Sequence, residues 1–173
     1  MKLESEKLII RAIEIKDASF YFELFKDPDW IRFISDKKLK SVAETRIFIE
    51  KMLSDTYTKS GLGYFTVILK ETNEAIGVST ALKREALAYI DVGYGFLPKG
   101  RGKGYASEAT LLVLEYVQQT FKQKKAFAFT VPKNNKSQSL LRKLNFKYIG
   151  LQAVFGDKKE AVYEYDFTLP PKK

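Results

Sequence analysis

Apolar and polar positions along the chain alternate between short apolar runs and longer amphipathic stretches. Residues 8–13 are apolar except for Arg11 and predict an opening strand. Asp17 is placed to cap a helix whose apolar face is Phe20, Tyr21, Phe22, Leu24 and Phe25, with Pro28 ending it. Ser41-Val-Ala-Glu44 has the spacing of a capping box, and Val42, Ile49, Met52 and Leu53 then share one face, predicting a second helix to about Thr56. Two apolar runs, 64–69 and 75–82, flank a polar loop and read as a hairpin; 87–97 is a third strand, in which Gly93 and Gly95 mark a bulge or a close backbone approach. Beyond Pro98 and a glycine-rich loop, Ala106, Ala109, Val113, Tyr116, Val117 and Phe121 recur at helical spacing. A strand at 126–131, a helix at 134–144 and a closing pair of strands over 146–169, turning at Gly156-Asp157, complete the order.

Antiparallel strands followed by strand–helix–strand–helix and a closing hairpin predict an α/β (α+β) fold. Its mixed central sheet has about seven strands, with helices on both faces, and the strands flanking the long helix run parallel. With 173 residues, 45% of them apolar, and no internal repeat or linker, the chain is expected to form a single domain over residues 1–173 with its core at about 8–168.

Composition narrows the chemistry. Lys and Arg number 30 against 21 Asp and Glu, a net charge of +9 that suits an anionic partner such as nucleic acid, an anionic membrane surface or a polyphosphate, or that simply solvates the surface. The chain has no cysteine and no histidine. Disulfides, thiolate or imidazole metal sites, an acyl-cysteine and a Ser-His-Asp triad are thereby excluded, so proton transfer falls to carboxylates, Tyr, Lys, hydroxyls or water. The segment Met1-Lys-Leu-Glu-Ser-Glu-Lys7 lacks the apolar stretch of a signal peptide, and the longest charge-free run, residues 60–69, is far below the roughly 20 residues a membrane span needs. A cytoplasmic location without a membrane partner is the expectation.

The segment Arg101-Gly-Lys-Gly-Tyr-Ala106 lies between a predicted strand and a predicted helix. A helix N-terminus presents unpaired amides and partial positive charge to a phosphate, glycines allow close approach, and Lys99, Arg101 and Lys103 add cationic side chains. The spacing fits neither Gly-x-x-x-x-Gly-Lys-Ser/Thr nor Gly-x-Gly-x-x-Gly, and a glycine-rich turn that only caps the helix is the plain alternative. One crossover later, Asn134-Asn-Lys-Ser137 opens the next helix, where Asn134 suits an N-cap; Asn145 stands where a left-handed C-cap residue is needed.

Together these segments resemble the GNAT acyltransferase superfamily, whose cofactor loop Arg/Gln-x-x-Gly-x-Gly/Ala is matched by Arg101-x-x-Gly104-x-Ala106. Val92-Gly-Tyr94, Gly104-Tyr-Ala-Ser-Glu-Ala109 and Asn134-x-x-Ser137 through Phe146 resemble the branch containing the ribosomal-protein alanine N-acetyltransferases. The resemblance implies acetyl-CoA as cofactor. Its pantetheine arm would pair with main chain from about Phe96 and Leu97, and its pyrophosphate would lie on the amides of Arg101, Gly102, Lys103, Gly104, Tyr105 and Ala106. Asn134 is counted with the cofactor-binding residues, and Lys143, with Arg142, would reach the adenosine 3′-phosphate or simply solvate the helix surface. By the same resemblance Ser137 would hydrogen-bond the thioester sulfur or protonate it. Many relatives carry a Tyr four residues later, where this chain has Leu141. Asp91 stands where relatives often carry a Glu that orders water toward the amine, and as an exposed strand residue it could equally be inert. Asp157 and Glu160 are the nearest carboxylates in the final hairpin.

The implied activity is N-acetylation of a primary amine, either a protein N-terminus or a small molecule, by direct attack in a ternary complex. No metal is implied, nucleic acid is not the expected partner, and a homodimer stays open. An acyl-CoA-binding domain without turnover, or a basic RNA- or ribosome-binding module, are the alternatives.

Overall fold

Among the described residues, eight strands form one sheet in the order β1-β2-β3-β4-β5-β6-β8-β7, and every neighbouring pair is antiparallel except β5 and β6. A computed structural model describes residues 1–85 and 87–169 of the chain; residues 170–173, although inside the expected domain, lie outside the described residues. The strands are β1 Lys2–Glu4, β2 Leu8–Ala12, β3 Gly63–Leu69, β4 Glu74–Leu82, β5 Asp91–Phe96, β6 Lys125–Thr130, β7 Lys147–Phe155 and β8 Lys158–Asp166. The sheet thus has one strand beyond the seven anticipated. That extra strand, β1, is three residues long and two of them are charged, so no apolar run announces it; pairing with β2 alone makes it a strand.

Among the described residues there are six α-helices: α1 Ala18–Lys26, α2 Pro28–Phe33, α3 Val42–Met52, α4 Thr58–Ser60, α5 Tyr105–Phe121 and α6 Asn135–Lys143. One core lies between the sheet and α5 and α6, built on Phe65, Val92, Val113, Val117, Leu141 and Tyr163. The other lies on the opposite face, where Tyr21, Leu24, Trp30, Ile49, Val78 and Leu97 pack together. Helices on both faces follow from strands that are apolar on both sides: all seven residues of β3 are buried.

Local chemistry explains several departures from the sequence reading. Pro28 ends α1 and also starts α2, as the first helical residue after an N-cap in which Asp27 accepts from Asp29 N and Trp30 N, both at 3.1 Å. Asp17 does not cap α1. Its carboxylate is turned to Arg11 (2.7 Å to each oxygen), Glu14 N and Thr66 Oγ1. Half of the expected capping box forms at α3: Ser41 Oγ accepts from Glu44 N, while Glu44 reaches Lys40 N instead of Ser41 N. The second helix continues through a π-turn at Leu53–Tyr57 and through α4 to Ser60, where Gly61 at φ 71° stops it. Asn145 adopts φ 67° just past α6, as a left-handed C-cap residue should.

Candidate active site

β5 pairs with β4 without a register shift over six residue pairs, from Leu82↔Asp91 to Gly77↔Phe96. Against β6, among the described residues, it makes only the pair Asp91↔Phe127, with Phe127 N donating to Ile90 O. The two parallel strands therefore part just after Asp91. The bulge anticipated at Gly93 and Gly95 is absent from β5; the irregularity lies between β3 and β4, where Ile76 is left out of the pairing. The glycines serve close approach instead. A Cβ on Gly95 would lie 2.5 Å from the Trp30 ring, and one on Gly93 would lie 2.8 Å from Thr80 Oγ1.

Strand alternation turns the N–H and C=O groups of Val92, Tyr94 and Phe96 toward the gap. Phe96 O accepts from Arg101 Nε at 2.8 Å, and Leu97 N is spent on Ile76 O at 3.0 Å. Of the two residues expected to pair with a pantetheine arm, Phe96 thus keeps its amide toward the gap and Leu97 does not.

At the open end of the gap the chain forms the loop that leads into α5. Gly102 and Gly104 have φ of 74° and 84°, a conformation costly for any residue with a Cβ, and a Cβ at either would meet nothing within 4 Å. The glycines are required by the backbone and face open space. Arg101 N, expected among the cradle amides, is spent on Pro98 O at 3.1 Å, and no acceptor among the described residues takes the amides of Gly102, Lys103, Gly104, Tyr105 or Ala106. Tyr105 is buried in the core beneath, which fixes the first turn of α5 against the sheet. This row of free amides at the start of a 17-residue helix is an anion cradle that fits a pyrophosphate.

The cations are arranged differently from expectation. Lys99 faces Glu74 at 3.4 Å. Arg101 is a strut, bonding Asp29 at 2.9 Å, Asp27, and Phe96 O, so its guanidinium ties α2 to the end of β5. Lys103 is exposed beside the cradle and shares a cleft of about 660 Å³ with Lys7, Lys70 and Tyr105.

The start of α6 is tied to β5. Asn134 Oδ1 accepts from Ser137 N at 3.1 Å, so its side-chain oxygen caps the helix. Ser137 Oγ lies 2.9 Å from Tyr94 Oη, which bridges β5 to α6. Gln138 holds the same region to β8, donating to Pro132 O at 2.6 Å and accepting from Tyr163 Oη at 2.9 Å. Arg142 is drawn to Gln138 Oε1 at 3.2 Å, and Lys143 is exposed on the last turn.

Asp91 is not the exposed residue anticipated: it is 2% accessible and held by Arg84 Nε at 2.7 Å. Burial pushes its carboxyl up to about 6 in spite of the arginine. Alternation places Asp91 on the β5 face that also carries Gly93 and Gly95, whereas Tyr94, and Ser137 with it, belongs to the α5 and α6 face. The structure brings Ser137, Asn134 and Tyr94 together and sets Asp91 at the point where the strands part. Glu160 on β8 is half-buried, and burial raises its carboxyl as well. Sequence reasoning missed the role of Tyr94 and the Asp27–Arg101 tie. Alternation along Val92-Gly-Tyr-Gly-Phe96 signals the first, and the Asp-Pro pair at a helix start signals part of the second.

The match to known proteins covers this whole arrangement. Residues 7–147 match the family described as Acetyltransferase (GNAT) domain. The uncharacterized N-acetyltransferase p20 of Bacillus licheniformis is 28% identical over 169 residues, covering 96% of this chain and 94% of that protein. A GNAT-family acetyltransferase from Bacillus anthracis superposes with a TM-score of 0.80 at 27% identity, covering 96% of this chain and 98% of that one. The ribosomal L7/L12 α-N-protein acetyltransferase RimL, solved with coenzyme A, shares the fold with a TM-score of 0.81 at 18% identity over 96% of this chain and 98% of its own. Because the family match runs from β2 through the parted strands and the amide cradle to the end of α6, the chain belongs to the GNAT acetyltransferases.

Proposed function

We propose that this chain transfers the acetyl group of acetyl-CoA to a primary amine, a protein N-terminus or a small-molecule amine, by direct attack within a ternary complex. The observation that carries this reading is the parting of β5 from β6 after a single pair, with the gap ending on five amides that no acceptor among the described residues takes. When bound, acetyl-CoA supplies the thioester carbonyl that the amine attacks and the sulfur that leaves.

The amides of residues 102–106 hold the pyrophosphate and the main chain at Phe96 aligns the arm, while Lys143 and Lys103 offer charge at the solvent side. Ser137, in the first turn of α6, hydrogen-bonds the sulfur. Asp91, buried at the apex of the gap, accepts a proton from the amine through water; a carboxyl near 6 is basic enough to do so around neutral pH and is still ionised there. A chain without cysteine offers no thiol for an acyl-enzyme, which favours direct transfer.

Calorimetry of CoA binding to the native chain and to Gly104→Glu tests the site. The substitution places a carboxylate at a position of φ 84° that faces the cradle, and CoA affinity is expected to fall at least a hundredfold. Unchanged affinity would remove the loop from the site. Turnover of acetyl-CoA against peptides with free N-termini, polyamines and amino acids then identifies the acceptor class; CoA binding without turnover on any of them would mark a binding domain instead.

A further inference from the structure

Tyr94 is the residue of β5 whose hydroxyl crosses to the opposite wall of the gap. It emerges on the face shared with Val92 and Phe96, and its Oη lies 2.9 Å from Ser137 Oγ and 3.4 Å from the Ser137 carbonyl oxygen. A carbonyl oxygen can only accept, so a Tyr94 proton aimed at Ser137 serves both contacts and leaves the serine O–H uncommitted. In the reverse arrangement Ser137 would spend its one proton on the tyrosine. The Ser137 amide is already bound by Asn134, which holds the residue in place while its hydroxyl turns.

We propose that Tyr94 is a positioning residue for Ser137: by donating to Ser137 Oγ it directs the serine proton into the gap, toward the sulfur of bound coenzyme A. The inference rests on the placement of that sulfur beside Ser137 proposed above. Tyr94 keeps its own proton throughout. Burial pushes its phenol up to about 12 against the pull of the Ser137 hydrogen bond, whereas an alkyl thiol titrates near about 8.5, so a thiolate is too weak a base to take the phenolic proton. The pair stabilises developing negative charge on sulfur by hydrogen bonding alone. Leu141, buried in the core at 1% accessibility, brings no hydroxyl from α6, so the phenol comes from the facing strand.

The absence of cysteine makes this testable without knowing the acceptor, because the coenzyme A thiol is the only thiol in the complex. Binding is first checked by calorimetry. Alkylation of bound coenzyme A by iodoacetamide is then followed against pH for the native chain, Ser137→Ala, Tyr94→Phe and the double variant. Phe keeps the ring that packs at this position, and thermal midpoints verify that each variant folds. The thiol pKa in the complex is expected to rise by about one unit, a tenfold loss of thiolate at neutral pH, in each single variant and no further in the double. A rise with Ser137→Ala but none with Tyr94→Phe would overturn the role of Tyr94 while leaving Ser137 at the sulfur. Additive rises would make Tyr94 an independent contact and overturn positioning. No rise in any variant would remove Ser137 from the sulfur, and failure of the native chain to bind coenzyme A would overturn the proposed function itself.

Discussion

At Asp91 two opposing effects meet on one carboxylate. Burial favours the neutral form and the Arg84 guanidinium favours the charged one; burial is the larger, and the carboxyl rises from the ordinary value near 4 to about 6. Because the folded value lies above the unfolded one, the stability linked to this group is fully present below about pH 4 and is lost as pH rises through about 6. The ionised form costs about 3 kcal/mol at pH 7. Asp91→Asn removes that dependence. Unfolding free energies from urea titrations across pH 4 to 7 are expected to shift in favour of the variant, relative to the native chain, by up to that amount; a shift toward the native chain would contradict the assignment. The residue types of this site were legible in the sequence, but the environment of Asp91 was not. Asp91, read as an exposed strand residue, proved buried, and its partner, Arg84, comes from the preceding turn. The role of Tyr94 was hidden for a related reason: alternation places it with Val92 and Phe96, but that their face of the sheet meets α6 at Ser137 is a tertiary fact.

At the scale of elements, α2 is fastened to the sheet by two contacts of different kinds. The Trp30 ring packs close against the backbone at Gly95, and Arg101 reaches from the loop to Asp27 and Asp29 at the helix start. A methyl at residue 95 has no room, because the nearest ring atom stands 2.5 Å from where it would sit. Gly95→Ala is expected to destabilise the fold by about 1–3 kcal/mol through overpacking. Combining it with Trp30→Leu should cost less than the sum of the two single changes, since the smaller side chain removes the clash. Guanidinium unfolding of the three variants checks this, and additive costs would mean the ring yields elsewhere. The elements themselves were largely readable: α5, α6 and the strand pairs follow from their periodicities. What could not be read were features fixed by partners, such as β1, whose strand character exists only against β2, and Pro28, whose local chemistry suits an end and a beginning equally well.

For the molecule as a whole, the sheet consists of a five-strand part, β1 to β5, and a three-strand part, β6, β8 and β7, that meet at the pair Asp91↔Phe127. Helix α5 follows the last strand of the first part and precedes the first strand of the second. Any ligand bound only by the folded chain stabilises it by mass action, by about 2.7 kcal/mol at a hundred times its dissociation constant. For a chain of this size that corresponds to a rise in Tm of about 5–10 °C. Differential scanning calorimetry with coenzyme A is expected to show this for the native chain and not for Gly104→Glu. Equal rises in both would place the ligand away from the cradle.

The parting of β5 from β6 also bears on turnover. In the proposed binding mode the arm of the cofactor supplies rungs that the protein's own ladder omits, so each cycle assembles part of a sheet and must dismantle it again before fresh donor can enter. Affinity for spent coenzyme A then sets a ceiling on throughput. A chain that closed its own gap with strand pairing would be the more stable protein and the poorer enzyme.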